Sequence, residues 1–195
     1  SDYGLFAIIG GVIALVNVLS TTLISTSNRF LAFEIGKGDV YSTNTIFNSL
    51  FLLHLVFSFL FLVVIETLGV WYVVNKLNVD PSKVESALIL LHCSALTVFL
   101  STIVMPYEGL VTVKEKFTIR AALEILNSVL NLFLVLSLFF ITNNKLIIYA
   151  FGLVLVRLII TLCYFFYSRT NFLSVVRFRF VHDIHIYRMI SGFFV

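Results

Sequence analysis

The chain reads as an all-α, polytopic membrane helix bundle, and three observations predict it. Hydrophobic residues make up 60% of the 195 and charged residues only 12%, about half the charge of an ordinary soluble domain. A mean hydropathy of +1.07 means more apolar surface than one core of this length can hide, so lipid must cover the remainder. Five apolar runs of about 20 residues recur, the length an α-helix needs to cross hydrocarbon with its backbone polar groups satisfied internally. Barrel strands would be shorter and half polar. Cys93 and Cys163 lie inside apolar runs and read as small hydrophobes. Nucleic acid is not an expected partner of a chain with a net charge of only +3.

The predicted spans cover residues 5–25, 46–65, 84–105, 119–141 and 146–166. Gly36-Lys37-Gly38-Asp39 reads as a turn after the first. Trp71 and Tyr72, beyond Glu66, suit an interfacial belt after the second. Asp80-Pro81-Ser82-Lys83-Val84-Glu85 carries an early Pro and a capping-box pattern of Ser82 with Glu85, which starts the third. Pro106 is expected to bend or end that helix, because its ring removes a donor and crowds the preceding turn. Residues 1–167 thus form the bundle, 168–183 a basic and aromatic connector, and 184–195 the start of a next lobe. The apolar beginning without Met and the unfinished apolar run at 190–195 predict a piece cut from a longer polytopic chain.

Charge sets the orientation. The connections after the first, third and fifth spans hold nine Lys and Arg: Arg29, Lys37, Lys114, Lys116, Arg120, Arg169, Arg177, Arg179 and Arg188. The opposite connections hold three, Lys76, Lys83 and Lys145. The positive-inside rule therefore puts residues 168–188 in the cytoplasm.

Polar residues at helical spacing inside spans are the candidate site. In the fourth span Arg120, Glu124, Asn127 and Asn131 share a face, and in the first Asn17, Thr21, Ser25 and Asn28 lead to Arg29. Such stripes either glue helices together or line a water-filled cavity. Arg157 lies 12 residues from both Lys145 and Arg169. That is about 18 Å of helix either way, close to the bilayer centre. A charge there costs about 2.5–3.5 kcal/mol to insert, so it serves either a substrate or an ion pair. His54 and His92 read as hydrogen-bonded structural histidines, and no nucleophile with a base, paired-carboxylate loop or phosphate cradle is present in the sequence.

Asp2-Tyr3-Gly4, Gly10-Gly11, Arg29-Phe30 after a Ser/Thr-rich helix end, Gly36-Lys37-Gly38-Asp39 and Pro106-Tyr107 together carry a resemblance. The chain resembles the polysaccharide-biosynthesis, O-antigen-type flippases of the superfamily that also contains the multidrug and toxic-compound exporters. The resemblance implies that these spans are the second to sixth helices of the amino-terminal six-helix lobe of a two-lobe exporter. It implies flipping of a lipid-linked oligosaccharide, a repeat unit of surface polysaccharide such as lipopolysaccharide, across the bacterial inner membrane by alternating access. The substrate and the second lobe of the same chain would be the partners, with membrane lipid around both. Arg157 and Arg29 would suit the anionic head group and the Asn127 and Asn131 stripe the sugar hydroxyls, with Asn17 and Glu124 as further candidate substrate-binding residues, Glu124 also being placed to pair with Arg120 one turn away. No enzymatic activity or cofactor is implied, and proton or sodium coupling is left open. Two alternatives stand beside it: a cation-coupled multidrug exporter of the same fold, which would want acidic residues deep in the cavity, and a membrane enzyme acting on polyprenyl phosphates, which would want an acidic loop cluster.

Overall fold

A computed structural model describes residues 21–76, 81–141 and 144–179, with side chains omitted at 81–83. Most of the predicted first span, Asn17 with it, and the predicted next-lobe segment lie outside the described residues. What is described is all-α: α1 (21–36), α2 (Val40–Val64), a π-helical turn Ile65–Gly69, α3 (Val70–Asn75), α4 (Pro81–Val113), α5 (Phe117–Ser137), α6 (Lys145–Asn171) and a short α7 (Leu173–Val176). Four helical rods are long and apolar enough to cross a membrane: Val40–Asn75, Val84–Val113, Phe117–Ser137 and Lys145–Asn171. The chain is thus a multi-pass membrane protein. Its rods run up and down, with the turns at 36–39 and 114–116 and the α6–α7 corner at one end, called here the basic end.

α4 is the hub, packed on α2 along one side and α6 along the other, while α5 leans mainly on α6. Two apolar clusters stack along these contacts. Ile65, Val73, Leu90, Leu91, Val98 and Ala150 centre the one away from the basic end. Phe47, Leu50, Val104, Leu110, Ile160 and Tyr164 centre the other, into which Val175 of α7 inserts. On α6 the buried positions Val156, Ile160, Tyr164 and Ser168 recur every four residues, so one face meets α4 and the bundle interior. The exposed positions are as apolar as the buried ones: Phe151, Leu155, Leu162 and Phe166 all lie open, as a lipid-facing surface requires.

Element ends differ from the sequence reading in physically instructive ways. Pro106 does not end its helix: α4 continues from the expected limit at Met105 to Val113, with Pro106 fully buried inside it. A transmembrane helix tolerates the missing N–H where neighbouring helices and side chains re-satisfy the backbone, and α4 is flanked on both sides. The second span also outruns its expected limits of 46–65. It begins at Val40, six residues earlier, capped by Asp39, whose carboxylate accepts from the Tyr41 amide at 2.9 Å and the Ser42 hydroxyl at 2.8 Å. At the far end the helix passes Glu66 through the π turn instead of stopping. α5 stops early, at Ser137 rather than 141, where Phe139 and Phe140 close three-residue turns onto Leu136 and Ser137. The 36–39 turn forms as expected, with Gly38 at φ 76°. The α4–α5 turn is made by Glu115 at φ 57°: its amide reaches the Thr112 carbonyl at 3.0 Å while the Lys116 amide reaches Val111 at 3.0 Å, a Schellman closure without glycine.

The hydroxyl and amide side chains inside the spans mostly bond their own helix rather than a neighbour. Ser49, Thr97, Thr102, Ser128 and Thr170 each donate to the carbonyl four residues back, at 2.8–3.0 Å. This hides their polarity from lipid, but it is not the cross-helix glue that their spacing invites.

Candidate functional site

Arg157 lies on the inward face of α6, near the middle of the rod. Its Nη2 reaches across to α4, 3.3 Å from the Glu108 carboxylate and 3.4 Å from the Ser101 carbonyl. Both side chains are roughly four-fifths covered, at 21% and 23% exposure. The guanidinium therefore spans the stretch of α4 on either side of Pro106, where the backbone lacks one donor. Its Nε is buried and has no hydrogen-bond partner among the described residues. Charge-assisted N–H···O bonds usually run about 2.7–2.9 Å, so this pairing is loose and leaves donor capacity unused.

Glu108 is the residue that the sequence reading passed over. With the third span cut at Met105, Glu108 fell into a loop; with α4 running to Val113 it becomes an intramembrane carboxylate. Arg157 is therefore not alone at depth: of the two roles expected for it, the ion pair has its carboxylate in Glu108. The available signal was the spacing Ser101, Glu108, two turns of one helix face that continues straight through Pro106.

A second pair borders the first. Arg120 donates from Nε to Glu124 at 2.9 Å and from NH1 to the Thr112 hydroxyl of α4 at 3.1 Å, both partners of the ion pair being well exposed. Tyr164 of α6 lies within electrostatic reach of Glu108, Glu124, Arg120 and Arg157, so the two pairs form one patch between α4, α5 and α6. Farther along α5, Asn131 donates to the Asn127 carbonyl at 2.8 Å and to its side-chain oxygen at 3.2 Å. These two asparagines are half-buried on the face that also carries Leu123, Leu130 and Leu134. Arg29 is exposed on α1. The structure thus brings Arg157 near Glu124 through Glu108 and Arg120, and leaves Asn127 and Asn131 bonded to each other.

The two histidines among the described residues are hydrogen-bonded within the bundle. His54 is fully buried, with Nδ1 2.8 Å from the Leu50 carbonyl and Nε2 3.5 Å from the Ser27 hydroxyl. His92 on α4 meets Glu66 of the π turn at 2.7 Å. Among the described residues no three His, Cys, Asp or Glu side chains converge as metal ligands would.

At the basic end the connector folds back against α2. Asn44 donates its side-chain amide to the Val175 carbonyl at 2.6 Å and the Arg177 carbonyl at 2.8 Å. Asn48 donates to the same Arg177 carbonyl at 3.1 Å, and its oxygen accepts the Arg179 amide at 3.3 Å. This clasp closes a cleft of about 380 Å³ lined by Arg169, Arg177, Asn48, Phe47, Tyr107 and Phe165, among others. A neighbouring cavity of about 700 Å³ shares Arg177 and adds Tyr41 and Arg179. Neither is lined by Arg29, Arg157, Asn127 or Asn131. The i, i+4 pair Asn44 and Asn48, at the head of an apolar run, was the sequence signal for this clasp.

No family model, curated protein or solved structure matches the chain.

Proposed function

We propose that the protein is a transporter that moves a lipid-linked oligosaccharide from the cytoplasmic to the outer leaflet of the bacterial inner membrane, by alternating access of the lobe to which these helices belong. The reading rests on the family resemblance and on one observation: Arg157, deep in the membrane, holds a loose pair with Glu108 and keeps a buried Nε without a partner. Intramembrane ionisable groups are expensive and mark pathways by default. A guanidinium with unused donors can take a phosphate oxygen in exchange for part of its carboxylate contact, which is how an anionic head group would be received and released. The basic end then faces the cytoplasm, in line with the charge count.

Glu108 favours one second reading. A cation-coupled drug exporter of the same fold would use an intramembrane carboxylate, and Glu108 supplies one.

Paired substitutions separate binding from architecture. Arg157→Ala alone leaves Glu108 uncompensated and is expected to lower membrane abundance, since breaking a buried pair costs about 3–5 kcal/mol. Replacing both partners, Arg157→Met with Glu108→Met, restores an apolar contact and abundance. In a flippase-deficient strain, the double variant at normal abundance is expected to lose glycan export. Full export by that variant removes Arg157 from the substrate path. Failure of the wild-type protein to restore export, together with resistance to organic cations that Glu108→Gln abolishes, would replace this reading with the drug exporter.

A further inference from the structure

We propose that the cleft between α2, α4, α6 and the connector is a phosphate-binding site, built for a phosphate ester carried on an amphiphile at the membrane surface. Two guanidinium groups, Arg169 and Arg177, line one cavity of about 380 Å³, within the size range of small-ligand pockets. Among the described residues no carboxylate pairs with either. Of the acidic side chains at this end, Glu34 bonds Lys37 at 2.8 Å, Asp39 caps α2 and Glu124 holds Arg120, while Glu115, exposed in the α4–α5 turn, pairs with neither arginine. Two uncompensated cations facing one hollow call for an anion.

The cleft is organised before any ligand arrives. The Arg177 backbone is pinned because its carbonyl accepts from both Asn44 and Asn48, so the side chain leaves a fixed point rather than a loose loop. The Arg169 guanidinium lies over the Phe165 ring, 5.9 Å from its centroid, within reach of a cation–π contact that holds it at the cleft. Asn48 spends its amide hydrogens on the Asn44 and Arg177 carbonyls and its oxygen on the Arg179 amide. The arginines and the Tyr107 hydroxyl are therefore donors left for a ligand, and guanidinium forks match phosphate oxygens two at a time.

The rest of the wall identifies the kind of phosphate. Tyr107 packs edge-on against Phe47 at 5.2 Å, Phe51 at 5.8 Å and Phe165 at 5.7 Å, and all four rings line the hollow. Inorganic phosphate has no use for such a wall. A phosphate joined to an apolar body does, and the cleft lies at the end of helices whose outer faces are lipid-facing. Lipid-borne and free phosphate share the guanidinium chemistry, and the assay below tells them apart.

The intact protein is purified in a phosphate-free maltoside detergent and titrated with phosphatidic acid, or with inorganic pyrophosphate, while bound adducts are followed by native mass spectrometry. Wild-type protein is expected to retain phosphatidic acid. Arg169→Gln with Arg177→Gln is expected to weaken retention at least roughly tenfold, the scale of losing charged hydrogen bonds. Lys114→Gln with Lys116→Gln removes as much charge from the same end outside the cleft, and is expected to retain the lipid. Arg177→Lys keeps the charge without the fork and gives an intermediate affinity, which also reports if the double Gln variant fails to fold. Binding of phosphatidic acid that pyrophosphate does not displace assigns the site to a lipid head group; displacement at similar concentration assigns it to soluble phosphate. Equal loss in the two double variants would mean only a general surface field, and overturns the site, as does the absence of binding by wild type.

Discussion

At the scale of single residues, the same side chain does different work according to where its bonds go. Asn131 donates within its own helix to Asn127, whereas Asn44 ties the backbone of residues 175 and 177 to α2 across more than 130 positions of sequence. Asn131→Ala is thus expected to cost well under about 1 kcal/mol, in keeping with the small measured worth of polar contacts inside membranes. Asn44→Ala leaves the buried Val175 carbonyl without its side-chain donor, while the Arg177 carbonyl keeps Asn48, and is expected to cost about 1–3 kcal/mol, read as a lowered thermal midpoint in detergent and faster proteolysis near Arg177. Equal effects would contradict the distinction. Spacing alone could not draw it, because both residues belong to i, i+4 pairs and periodicity reports the face, not the partner. Arg157 was legible for the opposite reason: a charge amid apolar residues stands out whatever it touches. Its partner was not, since Glu108 follows a proline that reads as a stop.

At the scale of elements, the rods were legible from hydropathy and their ends were not. Apolar run length follows bilayer thickness, but α2 begins ahead of its apolar run, where Asn44 finds backbone partners, and α4 continues through Pro106, where Glu108 finds Arg157. The connector's fold-back depends on contacts separated by about 130 positions, which no local pattern encodes. The α4–α5 turn makes an element-scale prediction. Glu115 sits in the left-handed region that its side chain disfavours, so Glu115→Gly is expected to stabilise the protein by about 1 kcal/mol. A rise in thermal midpoint checks it; a fall would mean that the glutamate makes a contact worth more than the strain.

At the scale of the whole molecule, the bundle sorts its charge by end. Of the described cations, Lys37, Lys114, Lys116, Arg169, Arg177 and Arg179 gather at one end and Lys76 and Lys145 at the other. With a membrane-impermeant thiol reagent, a single cysteine at Lys76 is expected to react in intact cells and one at Lys116 only in inside-out vesicles, both positions being exposed. Reaction at Lys116 from outside inverts the orientation. The longest rod adds a consequence of another kind. Its π turn at Ile65–Gly69 holds one residue more than an α-helix needs, while the helices on either side keep Phe61 and Val73 in the same apolar cluster. Among homologous sequences, a one-residue gap in this rod belongs within those five positions, where it only straightens the turn. Anywhere else between Val40 and Val64 it would rotate every later side chain by about 100° and turn the core face to lipid.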